Sequence, residues 1–251
     1  LAGHSHWASI KHKKGAADAK KGKIFSKIAR MITVAARRGG GDSNMNPRLQ
    51  LAISKARAVN MPKENIERAI QKGTGGGEAS ELFECLYEGY GPHGIALMVE
   101  ILTDNKNRTA PEIRKIFERF GGNMGESGCV SWMFEKKGLI IVGSNSLNED
   151  DLMMLVLDAG AEDLQQVGDI FQIICPQVNL DTVKKAIENK SVKIESAEVC
   201  WIPKNNIDLD DAMGRKVLGL MEALEDHDDV QNVYSNFNLP QTLLAEAQAA
   251  R

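Results

Sequence analysis

Gly73-Thr74-Gly75-Gly76-Gly77 is where the sequence changes character, because both the hydrophobic period and the sign of the charge switch across it. A run this rich in glycine has little to pack and reads as a linker. Residues 1–75 hold 16 Lys and Arg against Asp18, Asp42, Glu64 and Glu67, a net charge of +12, and the rest of the 251-residue chain carries −15. Charge segregated in this way is the footprint of a nucleic-acid-binding module attached to a body of another kind.

Upstream of the glycines the period is helical. The first fifteen residues, ending in Lys11-His12-Lys13-Lys14-Gly15, show no period and read as a basic arm carrying Trp7. From Ala16 to Arg38, Ile24, Ile28, Met31, Ile32 and Ala35 fall on one helix face. Lys20, Lys23, Lys27, Arg30 and Arg37 fall on the other, a cationic stripe expected to stand open to a polyanion. Gly39-Gly40-Gly41 stops this helix, and Asn46-Pro47 supplies an N-cap and a first-turn proline for a second, with Leu49, Ile53, Ala56 and Val59 inward. Pro62 opens a third helix, with Ile66, Ala69 and Ile70 apolar and Gly73 closing it. Three helices with short connections predict a small bundle.

Downstream, strands are predicted at Leu82–Glu88 and Ile95–Thr103, then a helix over Thr109–Phe120 and short strands at Cys129–Phe134 and Leu139–Val142. Continuing from Leu139, a helix at Glu149–Ala159, strands at Ala161–Gln166 and Ile170–Cys175, a helix at Asn179–Asn189 and a strand at Val192–Trp201 complete the order β-α-β-β-α-β, which is ferredoxin-like. A last helix, Asp210–Leu224, and strand, Val230–Tyr234, cannot close a core alone. They are expected to return to the sheet begun at Leu82, making the ferredoxin-like unit an insertion. Leu239–Arg251 reads as a frayed tail.

Several chemistries find no support in the residues. No run reaches the roughly 18 apolar residues of a membrane span, and no apolar leader precedes a cleavage site, so a cytoplasmic protein is expected. Cys85, Cys129, Cys175 and Cys200 lie far apart with no C-x-x-C pair, so reduced thiols are expected, without disulfide or zinc. His4, His6 and His12 sit on a lysine-rich arm without carboxylates, so no metal is assigned. Neither Gly73–Gly77 nor Gly121-Gly122-Asn123-Met124-Gly125 follows a strand or has phosphate-loop spacing. Glu100, Asp104, Glu126 and the acidic cluster Glu222-Glu225-Asp226-Asp228-Asp229 join no nucleophile or base in a recognisable constellation, so no catalytic residue, enzyme activity or cofactor is predicted. Arg108 opens a helix against its dipole, and so either pairs with a carboxylate or faces an anion.

The residues as a set resemble the YebC/PmpR family. The likeness rests on Ala2-Gly3-His4-Ser5-His6-Trp7 with Lys11-His12-Lys13-Lys14, on Asn46-Pro47-Arg48-Leu49 with Asn60-Met61-Pro62, and on Tyr87-Glu88-Gly89-Tyr90-Gly91-Pro92. It continues through Thr103-Asp104-Asn105, Asn107-Arg108-Thr109, Gly121-Gly122-Asn123-Met124-Gly125 and Asp228-Asp229-Val230-Gln231-Asn232-Val233-Tyr234. The resemblance implies an α+β fold of three domains, an N-terminal all-α bundle and two α+β domains with a ferredoxin-like one inserted in the other. The expected division is residues 1–75, then 78–135 with 202–238, the insertion at 136–201, and a tail at 239–251. It also implies a DNA-binding transcriptional regulator or, alternatively, a translation factor on ribosomal RNA. A protein-binding adaptor using the acidic body is the competing class. Lys11, His12, Lys13, Lys14, Lys20, Lys23, Lys27, Arg30, Arg37 and Arg38 form the expected nucleic-acid surface, extended by Arg48, Lys55 and Arg57. Trp7 is the candidate for stacking on bases, packing of its ring onto the body being the alternative.

Overall fold

The computed structural model describes residues 18–75, 82–144, 148–243 and 246. Three helices come first, α1 at Asp18–Gly39, α2 at Pro47–Ala58 and α3 at Lys63–Thr74. Asn46 holds the first junction: its side-chain oxygen accepts from the Leu49 amide, and its Nδ2 donates to the carbonyls of Ala35 and Gly40. The predicted apolar faces meet in one core built on Ile28, Ile32, Leu49, Ala56 and Ile66. Two details differ from expectation. Val59 is exposed, and Gly73 lies inside α3 instead of closing it. A Cβ on Gly73 would sit 2.5 Å from the Thr33 carbonyl oxygen, so this glycine is where α3 crosses α1.

Beyond α3, the described residues form two four-stranded antiparallel sheets and one short two-stranded pairing. The first has the order β3-β1-β2-β9, from β1 (Phe83–Tyr90), β2 (Ala96–Thr103), β3 (Asn123–Met124) and β9 (Val230–Ser235). The second has the order β5-β6-β4-β7, from β4 (Phe134–Gly143), β5 (Asp163–Val167), β6 (Ile170–Pro176) and β7 (Ile194–Pro203). Helix α4 (Lys106–Arg119) follows β2, and α7 (Asp211–Glu225) precedes β9; α5 (Glu149–Asp158) and α6 (Leu180–Asn189) belong to the second sheet, which gives the ferredoxin-like order. That unit enters between β3 and β9, so it is inserted in the other α+β domain.

Period-2 alternation explains the layering. On β2, Leu97, Val99 and Ile101 join Ile113 and Phe117 of α4 and Val217, Leu220 and Leu224 of α7 in one core. On β4, Ile140 and Val142 join Leu152, Val156, Val183 and Ile187 of α5 and α6 in another. The opposite faces, Ala96 and Met98 on one sheet and Leu139 and Ile141 on the other, meet in a third core shared by both sheets. The body is therefore helices, sheet, sheet, helices, with apolar contact at each boundary.

The strand expected at Cys129–Phe134 is corrected. Residues Ser131–Met133 form a single 3-10 turn and only Phe134 begins β4. The cause is Glu88, whose buried carboxylate takes the Gly128, Val130 and Ser131 amides that a ladder would need. The segment read as a frayed tail begins with Leu239 and Leu243 buried in the α4–α7 core. Two short paired strands, β8 (Ile207–Asp208) and β10 (Phe237–Asn238), had no signal of their own. The four cysteines are free thiols.

Candidate nucleic-acid interface

Helix α7 ends at Glu225 and leaves its last carbonyls without intrahelical partners, where a cation is favoured. The basic side of α1 meets that end. Lys23 Nζ donates to the Asp226 carbonyl at 3.2 Å, Lys27 Nζ to that of Glu225, and Arg30 Nη1 to that of Asp228 at 3.1 Å. The expectation of a cationic stripe standing open is thus corrected for this part of α1, which faces the acidic end of the body.

Asp229 is the centre of the contact, with its side chain 3% exposed. Its Oδ1 accepts from Arg30 Nη1 at 2.7 Å, and its Oδ2 accepts from Arg108 Nη2 at 2.7 Å and from the Thr109 and Thr103 hydroxyls at 2.7 and 3.0 Å. Burial alone would raise the carboxyl pKa, but the hydrogen bonds from Thr109, Arg108 and Thr103 and the Arg108 charge outweigh it and bring it to about 2. Arg108, for which the sequence left two readings, pairs with carboxylates, those of Asp229 and Asp104. Its partner holds it further in the charged form. The same carboxylate thus receives one guanidinium from the bundle and one from α4.

Two further carboxylates of the body receive Arg38, Arg48 and Lys55. Glu84 on β1 accepts from both Arg38 and Arg48, and Glu198 on β7 accepts from Lys55. Burial lowers the Arg48 guanidinium pKa, and the like charge of Arg38 lowers it further. The Arg38 and Arg48 side chains remain more than half exposed. Arg37 and Arg57 are exposed. Lys11, His12, Lys13, Lys14 and Trp7, with the side chain of Lys20, lie outside the described residues.

A cleft of about 830 Å³ opens beside the Asp229 cluster, with Arg30 and Lys23 on the bundle side, Arg108, Lys115 and Arg119 on the α4 side, and the 226–229 segment between them. Lys115 and Arg119 carried no signal in the sequence, being ordinary solvated positions on an amphipathic helix. Asp229, Glu84 and Glu198 were also missed as partners. The one available hint was Arg108 at an unfavourable end of its helix, which demands a negative partner without saying where it lies. Among the described residues, no group of three or more His, Cys, Asp or Glu could hold a metal ion. No helix of these residues is long and apolar enough to cross a membrane.

Comparison with known proteins covers the whole arrangement. A family model described as "TACO1/YebC protein N-terminal domain" matches residues 5–76, and one described as "TACO1/YebC second and third domain" matches residues 82–237. A probable transcriptional regulatory protein of Halothermothrix orenii is 52% identical over 249 residues, covering 98% of this chain and 98% of that one. A probable transcriptional regulatory protein of Dictyoglomus thermophilum is 53% identical over 245 residues, covering 97% and 98%. The crystal structure of a conserved hypothetical protein from Aquifex aeolicus is similar with a TM-score of 0.85 at 47% identity, covering 94% of this chain and 97% of that one.

Proposed function

We propose that this chain, which belongs to the TACO1/YebC family, regulates gene expression by binding nucleic acid through the cationic side of its N-terminal bundle. The observation that carries this reading is the placement of charge: +12 over residues 1–75 and −15 over the remainder. Lys and Arg neutralise phosphates without reading bases, so the affinity is salt-sensitive and the contact is chiefly to the backbone.

The cations already engaged at the body do not oppose this. The bundle's core contains no residue of the body, and the ion pairs and hydrogen bonds above join the two. The Arg38 and Arg48 pairs with Glu84, whose guanidiniums are more than half exposed, are worth about 0–1 kcal/mol and exchange readily, whereas phosphate accepts guanidinium in a bidentate fork. Arg38 and Arg48 share one carboxylate, which leaves an excess positive charge at that point for a phosphate to relieve. Arg57 extends the surface, and Lys11, His12, Lys13 and Lys14 belong to the same basic set.

Anisotropy titration of labelled duplex DNA and ribosomal RNA fragments tests the proposal. If roughly six phosphates are neutralised, log affinity falls against log salt with a slope of about −5 on duplex DNA. Changing Arg38, Arg48 and Arg57 together to Gln reduces that slope by about 3. A flat salt dependence, with binding unaltered in the triple variant, defeats the proposal and favours a protein-binding adaptor. Crosslinking in cells then assigns the target: promoter DNA means transcription, ribosomal RNA means translation.

A further inference from the structure

Away from the cationic bundle, the end of β1 and the loop after β3 hold two aromatic side chains outward. Trp132 is 66% exposed and Tyr90 37% exposed, although burying such rings is ordinarily worth several kcal/mol. Their positions are fixed. Trp132 Nε1 and the Tyr90 hydroxyl each donate to the same acceptor, the Cys129 carbonyl oxygen, at 3.1 Å. The Nε1–H and O–H donors are therefore used inside the protein, and what remains for a partner is chiefly ring face.

The frame behind them is rigid and costly. Glu88 is buried, and its carboxylate accepts from the Gly128, Val130 and Ser131 amides at 2.8, 2.9 and 2.8 Å. Its own carbonyl accepts from the Gly125 amide, and the Lys204 amide donates to the Met133 carbonyl. Two glycines permit the close approach of β1 to the loop. A Cβ on Gly89 would lie 2.5 Å from the Asn123 carbonyl oxygen, and one on Gly122 would lie 2.6 Å from that of Tyr90. A buried carboxylate and two close backbone crossings are more than a loop needs if it only leads into β4. They fix the turn that presents Trp132.

We propose that Trp132 and Tyr90 form a stacking platform for an unpaired base of a single-stranded nucleic acid. Stacking requires an accessible π face held in a fixed plane, and it tolerates any base. A protein partner would more often use the N–H and O–H of Trp and Tyr as hydrogen-bond handles, and here both are spent. The side chain of Lys204 is about half exposed beside this turn and pairs with Glu135 at 3.7 Å, a solvent-exposed contact weak enough to be exchanged for the phosphate flanking the stacked base. The inference rests on the nucleic-acid reading above and adds to it: the bundle holds backbone, the platform selects single strands over duplexes, whose bases are already stacked.

Wild type, Trp132→Ala and Trp132→Phe are titrated with single-stranded and duplex oligonucleotides of equal length over a salt series, with thermal melts confirming that each variant is folded. Trp132→Ala is expected to lose about tenfold in affinity for single strands, with an unchanged salt slope and unchanged duplex binding, while Trp132→Phe keeps most of the affinity. Wild-type affinity of Trp132→Ala for single strands overturns the platform and leaves the phosphate reading standing on its salt slope. An equal loss on single strands and duplexes also overturns it. Absence of any oligonucleotide binding by the wild type at low salt defeats both readings.

Discussion

Asp229 accepts hydrogen bonds from two guanidiniums and two hydroxyls. It is buried and ionised, and it joins a guanidinium of α1 to one of α4. Removing one partner from such a group leaves the others uncompensated, so Asp229→Asn is expected to cost about 3 kcal/mol in urea unfolding. Its titration makes a separate prediction. The folded pKa of about 2 lies below the unfolded value of about 3.9, so the associated stability is complete above pH ~4 and is lost as pH falls toward 2. That contribution is about 2 kcal/mol, and the difference between wild-type and Asp229→Asn unfolding free energies should shrink by this amount between pH 5 and pH 2. A difference that stays constant over the range would mean that the carboxylate is not ionised by its neighbours. Glu88 obeys the same logic on the other side of the first sheet. Burial pushes its carboxyl up, yet three backbone amides hold it below the ordinary range. Glu88→Gln should cost about 2 kcal/mol, and hydrogen exchange should locate the loss at the amides of Gly128, Val130 and Ser131.

At the scale of elements, a helix or strand was legible where its own period decided it. The faces of α1, α2 and α3 and the alternation of β2 and β4 follow from residues a few positions apart, and these determine the bundle and the two sheets. Elements fixed by a distant group were not legible. Cys129–Phe134 has the composition of a strand, but its amides are taken by a carboxylate more than forty residues upstream. Gly73 looked like a helix stop because glycine is the usual residue there, whereas its real constraint comes from Thr33 and Ala36 on another helix. Gly73→Ala discriminates the two roles. Alanine is the better helix former by about 1 kcal/mol, so a free position would gain stability. Contact with the Thr33 carbonyl oxygen instead predicts a net loss of about 1–3 kcal/mol, read as a lower melting temperature of the bundle.

On the scale of the whole molecule, the two sheets share an apolar core, while the bundle keeps a core of its own and places charged side chains against carboxylates of the body. The sequence disclosed the sign of each part but not their mutual contact. Lys27 and Glu225 lie 198 positions apart and Lys55 and Glu198 lie 143 apart, and no period links such pairs. The consequence is competition: carboxylates of the body and phosphates of a ligand seek the same cations. Glu84 is about a third exposed with arginine partners more than half exposed, so its ion pairs are weak, while Lys55 and Glu198, each 29% exposed, form a more covered pair. Glu84→Gln with Glu198→Gln should therefore raise oligonucleotide affinity roughly fivefold at fixed salt, because Arg38, Arg48 and Lys55 no longer have to leave an internal partner. Spin-label or fluorescence distances between bundle and body should lengthen in the same double variant, in wild type near 1 M salt, and on addition of oligonucleotide at low salt. Unchanged affinity together with an unchanged distance would mean that the bundle binds its ligand without leaving the body, and that the cleft beside Asp229, not the freed face of α1, is where the phosphates enter.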